Sequence, residues 1–555
     1  MELFVKFRPY LLTAAILIAG FVFLYLSLFS LPATPNHFLP GDATTYLFNA
    51  RRMMRGEVIY RDFFEFTPPA TETFYFVLFE IFGVHAWIPN VVLIGLGLSL
   101  AWLMIVISRN VIPGKAAYLP AALFLVIPFR SQLDPTHHWF SMLFAMAALA
   151  LIVENITALR LVGAGAMCGI AMCFTQSTGL PAVLGLALFL LWAALTKRLS
   201  WLNFRRAQLY VWSSFGIVVV FFNIYFVLQA GLRTFLYDTV VFGIRYWRSE
   251  FWNTPAVYMT DMPVYHPWYR LPVLAIWASV YLLTPLIYIL FFVRFREVKD
   301  DRPSEPWDCL MLIAFVGVML FLGIAAAPSW LRLCVVAPPG IILFVWFLSS
   351  PGRFLSIRTA AVWVVVIVLA LAEGGEHWLA WRQVVNLPIG RMEVFNPIQY
   401  EQIKFLQAHT KPGDYFFGNN ELNYLLDLRD PAPIPYLTNS DYTRPEQVQR
   451  TIEGLEKHSV NYIYWTSLLD MPPEGAHNRS NLAPLREYMR AHYELAKSIE
   501  ADDCERSFWE KFNPTTPIPL PPPIPLPPQP GASSPGANGQ PAPPSAPLDT
   551  PPQLP

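Results

Sequence analysis

The chain has 555 residues, of which 55% are hydrophobic and only 14% charged, and its mean hydropathy is +0.40. This composition is too apolar for a soluble chain of that length and predicts a polytopic α-helical membrane protein. The formal net charge is zero, so no global field for nucleic acid or for strongly charged partners is expected. The five cysteines are scattered without a CxxC pair and are expected to be structural.

Apolar runs long enough to cross a bilayer recur along the first two thirds of the chain. About eleven spans are predicted, at residues 10–31, 88–108, 116–129, 138–154, 160–174, 178–195, 207–229, 271–293, 309–327, 331–350 and 358–373. The apolar run 69–82 is short and contains Glu72 and Glu80, so it is expected to be an interfacial or half-inserted helix.

The placement of Lys and Arg predicts the orientation. If the N-terminus with Lys6 and Arg8 is cytoplasmic, eleven spans put the most basic short loops on the cytoplasmic side. The loops 32–87, 130–137 and 230–270 then lie outside, as does everything after residue 374. We therefore predict a multi-pass inner (plasma) membrane protein with a cytoplasmic N-terminus and an extracytoplasmic C-terminal region.

The C-terminal third has a different character from the membrane region. After a transmembrane domain over 1–373, residues 374–512 mix apolar and polar residues and predict a small periplasmic or otherwise extracytoplasmic α/β domain. Within it, DYFFG, NYLLDL and NYIYW are predicted strands, and residues 444–458 form a predicted amphipathic helix. The Pro-rich segment 513–555 is expected to be extended or disordered.

Ionisable groups are concentrated in the outer loops. Asp42 follows the first span, and the loop after the third span contains Arg130, Asp134, His137 and His138. Two carboxylates beside cations suit the transfer of a group from a phosphate leaving group to a hydroxyl, because one carboxylate can accept the proton while cations stabilise the departing phosphate. Between these loops, residues 43–56 predict a helix along the membrane surface, whose Arg51, Arg52 and Arg55 anchor it or bind anionic lipid.

Structural alternatives exist for several of these residues. Asp134 can cap a helix that begins at Pro135. Asp134, His137 and His138 are also candidate ligands of a divalent metal ion, although adjacent histidines point about 100° apart on a helix. Arg332, at the outer end of two spans, either binds an anion or extends its side chain to the interface.

Three features of residues 38–180 occur together: the acid Asp42 after the first span, the stretch NARRMMRGEVIYRDFFEFTPP that ends in Pro68 and Pro69, and the loop RSQLD. In these features the sequence resembles the GT-C superfamily of polytopic glycosyltransferases, especially the bacterial RgtA/B/C/D-like group related to protein O-mannosyltransferases and the aminoarabinose transferases of lipid A. The resemblance implies an inverting glycosyltransferase that uses a polyprenyl-phosphate-sugar donor on the outer face. It also implies that Asp42 and Asp134 are the catalytic acids.

The sequence departs from the family pattern in two places. Ala43 replaces the second acid that often follows the first, so Asp62 or Glu65 is the candidate accessory acid. The paired prolines are not followed by a lysine, so the donor phosphate is expected to bind other cations, namely Arg130, His137, His138 and Arg332. The acceptor can be a glycan, a lipid or a protein. A flippase of a lipid-linked glycan is the alternative function, and a non-catalytic envelope scaffold is a further one.

Overall fold

The computed structural model describes residues 2–31, 33–36, 42–260, 271–349, 355–471, 479–501 and 504–512. The predicted Pro-rich segment 513–555 lies outside the described residues. The helices are α1 (Glu2–Leu28), α2 (Asp42–Met54), α3 (Ala70–Phe82), α4 (Ile88–Ser108), α5 (Leu119–Phe124), α6 (His137–Val153), α7 (Ala158–Phe174), α8 (Gln176–Leu195), α9 (Trp201–Ala230), α10 (Leu232–Leu236), α11 (Gly243–Arg245), α12 (Val257–Thr260), α13 (Leu271–Val298), α14 (Trp307–Ile324), α15 (Trp330–Leu348), α16 (Leu355–Leu379), α17 (Pro397–His409), α18 (Asn420–Leu426), α19 (Pro445–Lys457) and α20 (Ala483–His492). The strands are β1 (Phe29–Ser30), β2 (Thr34–Pro35), β3 (Gln383–Leu387), β4 (Gly390–Val394), β5 (Tyr415–Phe417), β6 (Val460–Thr466), β7 (Tyr493–Glu500) and β8 (Glu505–Lys511).

Apolar helices dominate the first two thirds of the chain. Within the described residues, six helices are long and apolar enough to cross a membrane: α1, α4, α8, α9, α14 and α15. Shorter apolar helices run over Gly114–Phe129, His137–Val153, Ala158–Phe174 and Arg358–Ala372. Together with α13, these helices coincide with all eleven predicted spans, so the chain is a polytopic α-helical membrane protein.

The short apolar run before the second span forms α3, which has 13 residues. At 1.5 Å per residue this helix is about 20 Å long, too short to cross the hydrocarbon core unaided. Tyr75 and Phe79 are buried, whereas Val77 and Ile81 on the opposite side are exposed. This one-sided burial fits the predicted helix that does not span the membrane.

Helix α2 differs from its prediction as a helix lying along the membrane surface. All of its residues from Ala43 to Ala50 are buried, because α2 packs between α3 and α18. Arginines within α2 and directly after it bind the C-terminal region. Arg51 and Arg55 both pair with Asp427, the latter at 2.6 Å, and Arg52 donates to the carbonyl of Ala432 at 3.1 Å. The helix therefore joins the membrane helices to the C-terminal region instead of facing lipid.

The C-terminal region contains a four-stranded sheet in the order β5-β6-β8-β7 within the described residues. Strands β5 and β6 are parallel, as a crossover connection through α18 and α19 requires, and the other pairs are antiparallel. The prediction was right for β5, β6 and α19. It was wrong for NYLLDL, which belongs largely to α18.

Local capping explains why NYLLDL is helical. The Asn419 side chain accepts a hydrogen bond from the Leu422 backbone at 3.0 Å, which caps the start of α18. Asp427 ends the helix in a left-handed conformation with φ 57°. An apolar run this short has no decisive periodicity, so the caps and the packing on α2 determine its structure.

Candidate active site

Two cavities meet at Asp42. Cavity A, of about 740 Å³, lies between the α5–α6 loop and the C-terminal region; it is lined by residues that include Asp42, Arg130, Asp134, Gln402 and Tyr464. Cavity B, of about 690 Å³, lies between the starts of α6 and α15 and the segment 239–253; it is lined by residues that include Asp42, His137, His138, Trp247 and Arg332. The structure thus brings six of the eight predicted site residues to cavity walls that share Asp42.

Asp42 is the first residue of α2. Its side chain is exposed and lines both cavities. Desolvation by the surrounding protein raises the pKa of the Asp42 carboxyl above its ordinary value, and the charge of Arg332 opposes the rise. A carboxylate opposite a guanidinium and open to two cavities can accept a proton from a bound hydroxyl.

Asp134 is held in a tight loop on the wall of cavity A. Its backbone N–H donates to the carbonyl of Gln132 at 2.9 Å, and the same carbonyl accepts from the Trp139 indole at 2.8 Å. Thr136 donates to Asp134 Oδ2 at 3.2 Å. Helix α6 begins only at His137, with Thr136 at its N-cap, so Asp134 does not cap it.

The protonation of Asp134 follows from this position. Burial first, and the neighbouring charge of Asp42 second, raise the pKa of Asp134 to about 8. The hydrogen bond from Thr136 opposes this rise. The raised pKa favours the protonated form of Asp134 at neutral pH, and its Oδ1, which is buried without a hydrogen-bond partner among the described residues, can then act as a donor.

His137 and His138 occupy the first turn of α6 and face cavity B. Their ring centroids are 3.9 Å apart, and the Tyr46 ring meets His137 edge-on at 5.2 Å. Asp134, the third candidate metal ligand, lines cavity A instead. Among the described residues, no group of three or more His, Cys, Asp or Glu side chains is arranged to hold a metal ion.

Arg332 is fixed at the wall of cavity B. Its Nη1 donates to the carbonyls of Ala327 at 2.9 Å and Trp252 at 3.1 Å, and its Nη2 donates to Asn253 Oδ1 at 3.0 Å. The guanidinium also lies over the Trp247 ring, 5.1 Å from its centroid. The side chain therefore packs inward against the segment 247–253 instead of extending to the membrane interface.

The two candidate accessory acids lie in different surroundings. Glu65 is buried; its Oε1 accepts from the Phe66 and Thr67 backbones at 2.9 and 3.1 Å, and Thr67 lines cavity B. Burial raises the pKa of Glu65 to about 7. Asp62 instead pairs with Arg61 at 2.7 Å and lines a separate cavity, so the structure does not bring it to Asp42.

Several groups in this region of the fold were not among the predicted site residues. Glu72 is fully buried beside Glu65, and burial first and then Glu65 raise the pKa of Glu72 well above its ordinary value. Gln402, Glu421 and Arg506 of the C-terminal region line cavity A. A carboxylate in an apolar run was a detectable signal for Glu72. No local pattern marks the C-terminal residues, because only tertiary packing brings them to Asp42.

The helices define a polytopic α-helical membrane protein. Among solved structures, the chain is similar in fold to ArnT from Cupriavidus metallidurans bound to undecaprenyl phosphate. The TM-score is 0.56 and the identity 13%, over 91% of this chain and 98% of that chain. The apo state of the same ArnT matches with a TM-score of 0.54 and 13% identity, over 89% and 97% of the two chains. This likeness confirms the predicted fold. No protein-family model and no curated protein matches the sequence.

Proposed function

We propose that this chain is an integral-membrane glycosyltransferase that moves a sugar from a polyprenyl-phosphate-linked donor to an acceptor hydroxyl on the outer face of the membrane, with inversion at the anomeric carbon. The observation that carries the proposal is that Asp42 lines both cavity A and cavity B. A transferase needs one site for each substrate and a base between them. The fold shared with ArnT, crystallised with undecaprenyl phosphate, supports a lipid-linked donor.

In the proposed reaction Asp42 accepts the proton of the acceptor hydroxyl while that oxygen bonds to the anomeric carbon. The bond from the anomeric carbon to the phosphate oxygen breaks on the opposite side, and polyprenyl phosphate leaves with the electron pair. A single displacement inverts the anomeric centre. Asp134, whose raised pKa favours the protonated form at neutral pH, is assigned to donate a hydrogen bond to the acceptor, so the two acids have different roles set by their surroundings.

We assign the donor phosphate to cavity B. The wall of cavity B includes Arg332, His137 and His138, which can stabilise negative charge on the departing phosphate. It also includes Ile244 and Trp247, which are assigned to contact the polyprenyl chain of the donor. Arg130 was expected to share this role. It lines cavity A, so we assign it to the acceptor side.

The sidedness is also a proposal. Three elements contribute to these cavities: the start of α2, the loop between α5 and α6, and the start of α15. They therefore share one side of the helices with the C-terminal region. We assign this side to the outer face and the N-terminus to the cytoplasm, in line with the loop charges. The transmembrane domain is then 1–373 and the extracytoplasmic α/β domain 374–512.

A transfer assay tests the proposal. Purified wild-type protein is incubated with radiolabelled polyprenyl-phosphate sugars and an envelope extract, beside Asp42→Asn and the control Asp414→Asn, which changes an exposed turn. We expect label transfer by the wild type and the control, and a loss of about 10²-fold or more in Asp42→Asn. Equal transfer by Asp42→Asn contradicts the role of Asp42. Movement of a lipid-linked glycan across vesicles without transfer from any donor contradicts the enzyme and favours a flippase.

A further inference from the structure

Two further cavities meet at the end of α2, about 15 Å along that helix from Asp42. Cavity C, of about 520 Å³, lies between the end of α2 and the C-terminal region. Cavity D, of about 370 Å³, lies between the end of α2, α3 and α9. Glu57 lines both, and neither cavity shares a lining residue with cavity A or cavity B. They therefore form a place in the fold that the proposed reaction does not use.

Cavity D has an apolar and aromatic wall that is open to the membrane. Phe76 of α3 and Phe222, Tyr225 and Phe226 of α9 line it. Helix α9 is long and apolar enough to cross a membrane, and on it Tyr225 is 53% exposed and the nearby Phe221 is 81% exposed. Exposed aromatic side chains of a membrane-spanning helix face lipid, so cavity D can admit a lipid chain from the bilayer.

Cavity C is lined mainly by charged side chains. Helix α19 contributes Arg450, Glu453, Gly454 and Lys457, which are spaced i, i+3, i+4 and i+7. Residues at this spacing share one face of a helix, so α19 presents a single face to the cavity. The facing wall is formed by the end of α2 and by residues 429–433.

The acids of cavity C are largely neutralised by the protein itself. Glu57 pairs with Arg52 at 2.6 Å, and Asp62 pairs with the arginine before it at 2.7 Å. Desolvation raises the pKa of Asp430 to about 7, and the charge of Arg52 opposes the rise, so this carboxyl is only partly charged at neutral pH. Glu453 is the remaining acid, and it is exposed.

Three cations of cavity C are not neutralised in this way. Arg429, Arg450 and Lys457 line the cavity, and none of them forms a salt bridge among the described residues. Arg450 acts through its charge on the pKa of Asp238, without such a bridge. Cations that surround one cavity repel each other, and a bound anion relieves this repulsion.

We propose that cavities C and D together bind one anionic phospholipid from the membrane leaflet beside the C-terminal region. The headgroup phosphate contacts Arg429, Arg450 and Lys457, and an acyl chain lies in cavity D. A soluble anion would use cavity C alone and a neutral lipid cavity D alone, whereas an anionic lipid has a part for each. The bound lipid joins α9 to α19 and takes no part in sugar transfer, so the proposal is independent of the glycosyltransferase.

Lipid binding by the full chain tests this inference. The protein in a neutral detergent is titrated with dioleoylphosphatidylglycerol, with dioleoylphosphatidylcholine and with glycerol phosphate, and binding is measured by native mass spectrometry and by the thermal unfolding midpoint. We expect phosphatidylglycerol to remain bound as a single molecule and to raise the midpoint. The other two ligands should bind about tenfold more weakly or less, because each lacks one part of the contact.

The double variant Arg450→Gln, Lys457→Gln removes two of the three cations. We expect its affinity for phosphatidylglycerol to fall about tenfold or more. Both side chains are exposed, so the midpoint without lipid should equal that of the wild type. The matched control is Arg233→Gln, Arg490→Gln, which removes two exposed cations that line neither cavity and should bind phosphatidylglycerol as the wild type does.

Three outcomes contradict the lipid site. Equal affinity for phosphatidylcholine excludes recognition of the anionic headgroup, and equal affinity for glycerol phosphate reduces the site to a soluble-anion site. Unchanged phosphatidylglycerol affinity in the Arg450→Gln, Lys457→Gln variant removes cavity C from the binding. Because no sugar donor is present, these outcomes leave the proposed transfer reaction untouched.

Discussion

Asp42 and Asp134 lie far apart in the sequence, yet both line cavity A, and the charge of Asp42 contributes to the raised pKa of Asp134. The two carboxyls are close enough to interact electrostatically, so their proton affinities differ. Asp42, whose pKa is lowered by the charge of Arg332, is favoured as the base. Asp134 has the pKa of about 8 and is favoured to keep its proton.

Asp134 should make the protein less stable as the pH rises. In the folded chain its pKa is about 8, against an ordinary value of 3.8, so the folded state holds a proton that the unfolded state releases between these values. The free energy of unfolding should therefore fall from about pH 4 to pH 8 and level off above pH 8. Thermal unfolding in detergent at pH 5 to 9 measures this trend.

The variant Asp134→Asn cannot ionise, so it should lose this part of the pH dependence and unfold at a higher temperature than the wild type at pH 9. It should also retain transfer within about tenfold at pH 7, because the amide still donates a hydrogen bond. An unchanged pH profile, or transfer reduced as severely as in Asp42→Asn, contradicts the assignment of a proton to Asp134.

Arg332→Lys should weaken the donor site. Lysine cannot reproduce the planar set of bonds to Ala327, Trp252 and Asn253, nor the contact with Trp247. We expect the donor KM to rise about tenfold or more, with the acceptor KM unchanged. Steady-state kinetics with each substrate varied in turn measures both constants.

The matched control for Arg332 is Arg233→Lys, in the exposed helix α10. It should change neither constant. A rise in the acceptor KM alone in Arg332→Lys contradicts the assignment of the donor phosphate to cavity B.

Asp427→Ala should loosen the junction between α2 and the C-terminal region. This variant removes the acceptor shared by Arg51 and Arg55, and it places alanine in a left-handed conformation that asparagine or aspartate tolerates better. We expect a loss of about 1–3 kcal/mol in the free energy of unfolding and faster proteolysis near α18. Denaturant titration and limited proteolysis measure these changes.

Asp427→Asn separates the two effects. It keeps the tolerance for a positive φ and loses the charge, so its destabilisation should be intermediate between wild type and Asp427→Ala. If both variants are as stable as the wild type, the arginine pairs do not contribute to this junction.

Gly454→Ala should destabilise the C-terminal region. A Cβ at this position of α19 would overlap the backbone carbonyl oxygen of Pro431, which cannot move as a flexible side chain does. We expect a loss of about 1–3 kcal/mol. Gly216→Ala in α9 is the control, because its Cβ would meet nothing within 4 Å and should be neutral or slightly stabilising. Equal unfolding midpoints for the two variants contradict the close approach of α19 to Pro431.

Local features of the sequence predicted the helical framework. The free energy of transferring an apolar segment into lipid is nearly additive over neighbouring residues, so the runs that became α4, α9 and α14 were detectable without any tertiary contact. Likewise, the amphipathic pattern of 445–457 predicted α19. Asp42 was detectable because a carboxylate at the mouth of a span needs a partner or a function.

Only the tertiary structure decided how these elements combine. Helix α2 has an amphipathic sequence that suits a lipid surface equally well, and packing on α3 and α18 determines that it is buried. The short run 420–426 fits a strand or a helix until its caps and its contacts with α2 are known. Gln402 lies at cavity A, Arg332 beside Trp247, and Asp427 between two arginines. Each of these positions depends on contacts between residues that lie far apart in the sequence. Such contacts leave no local periodicity, since their energy arises only when distant segments meet.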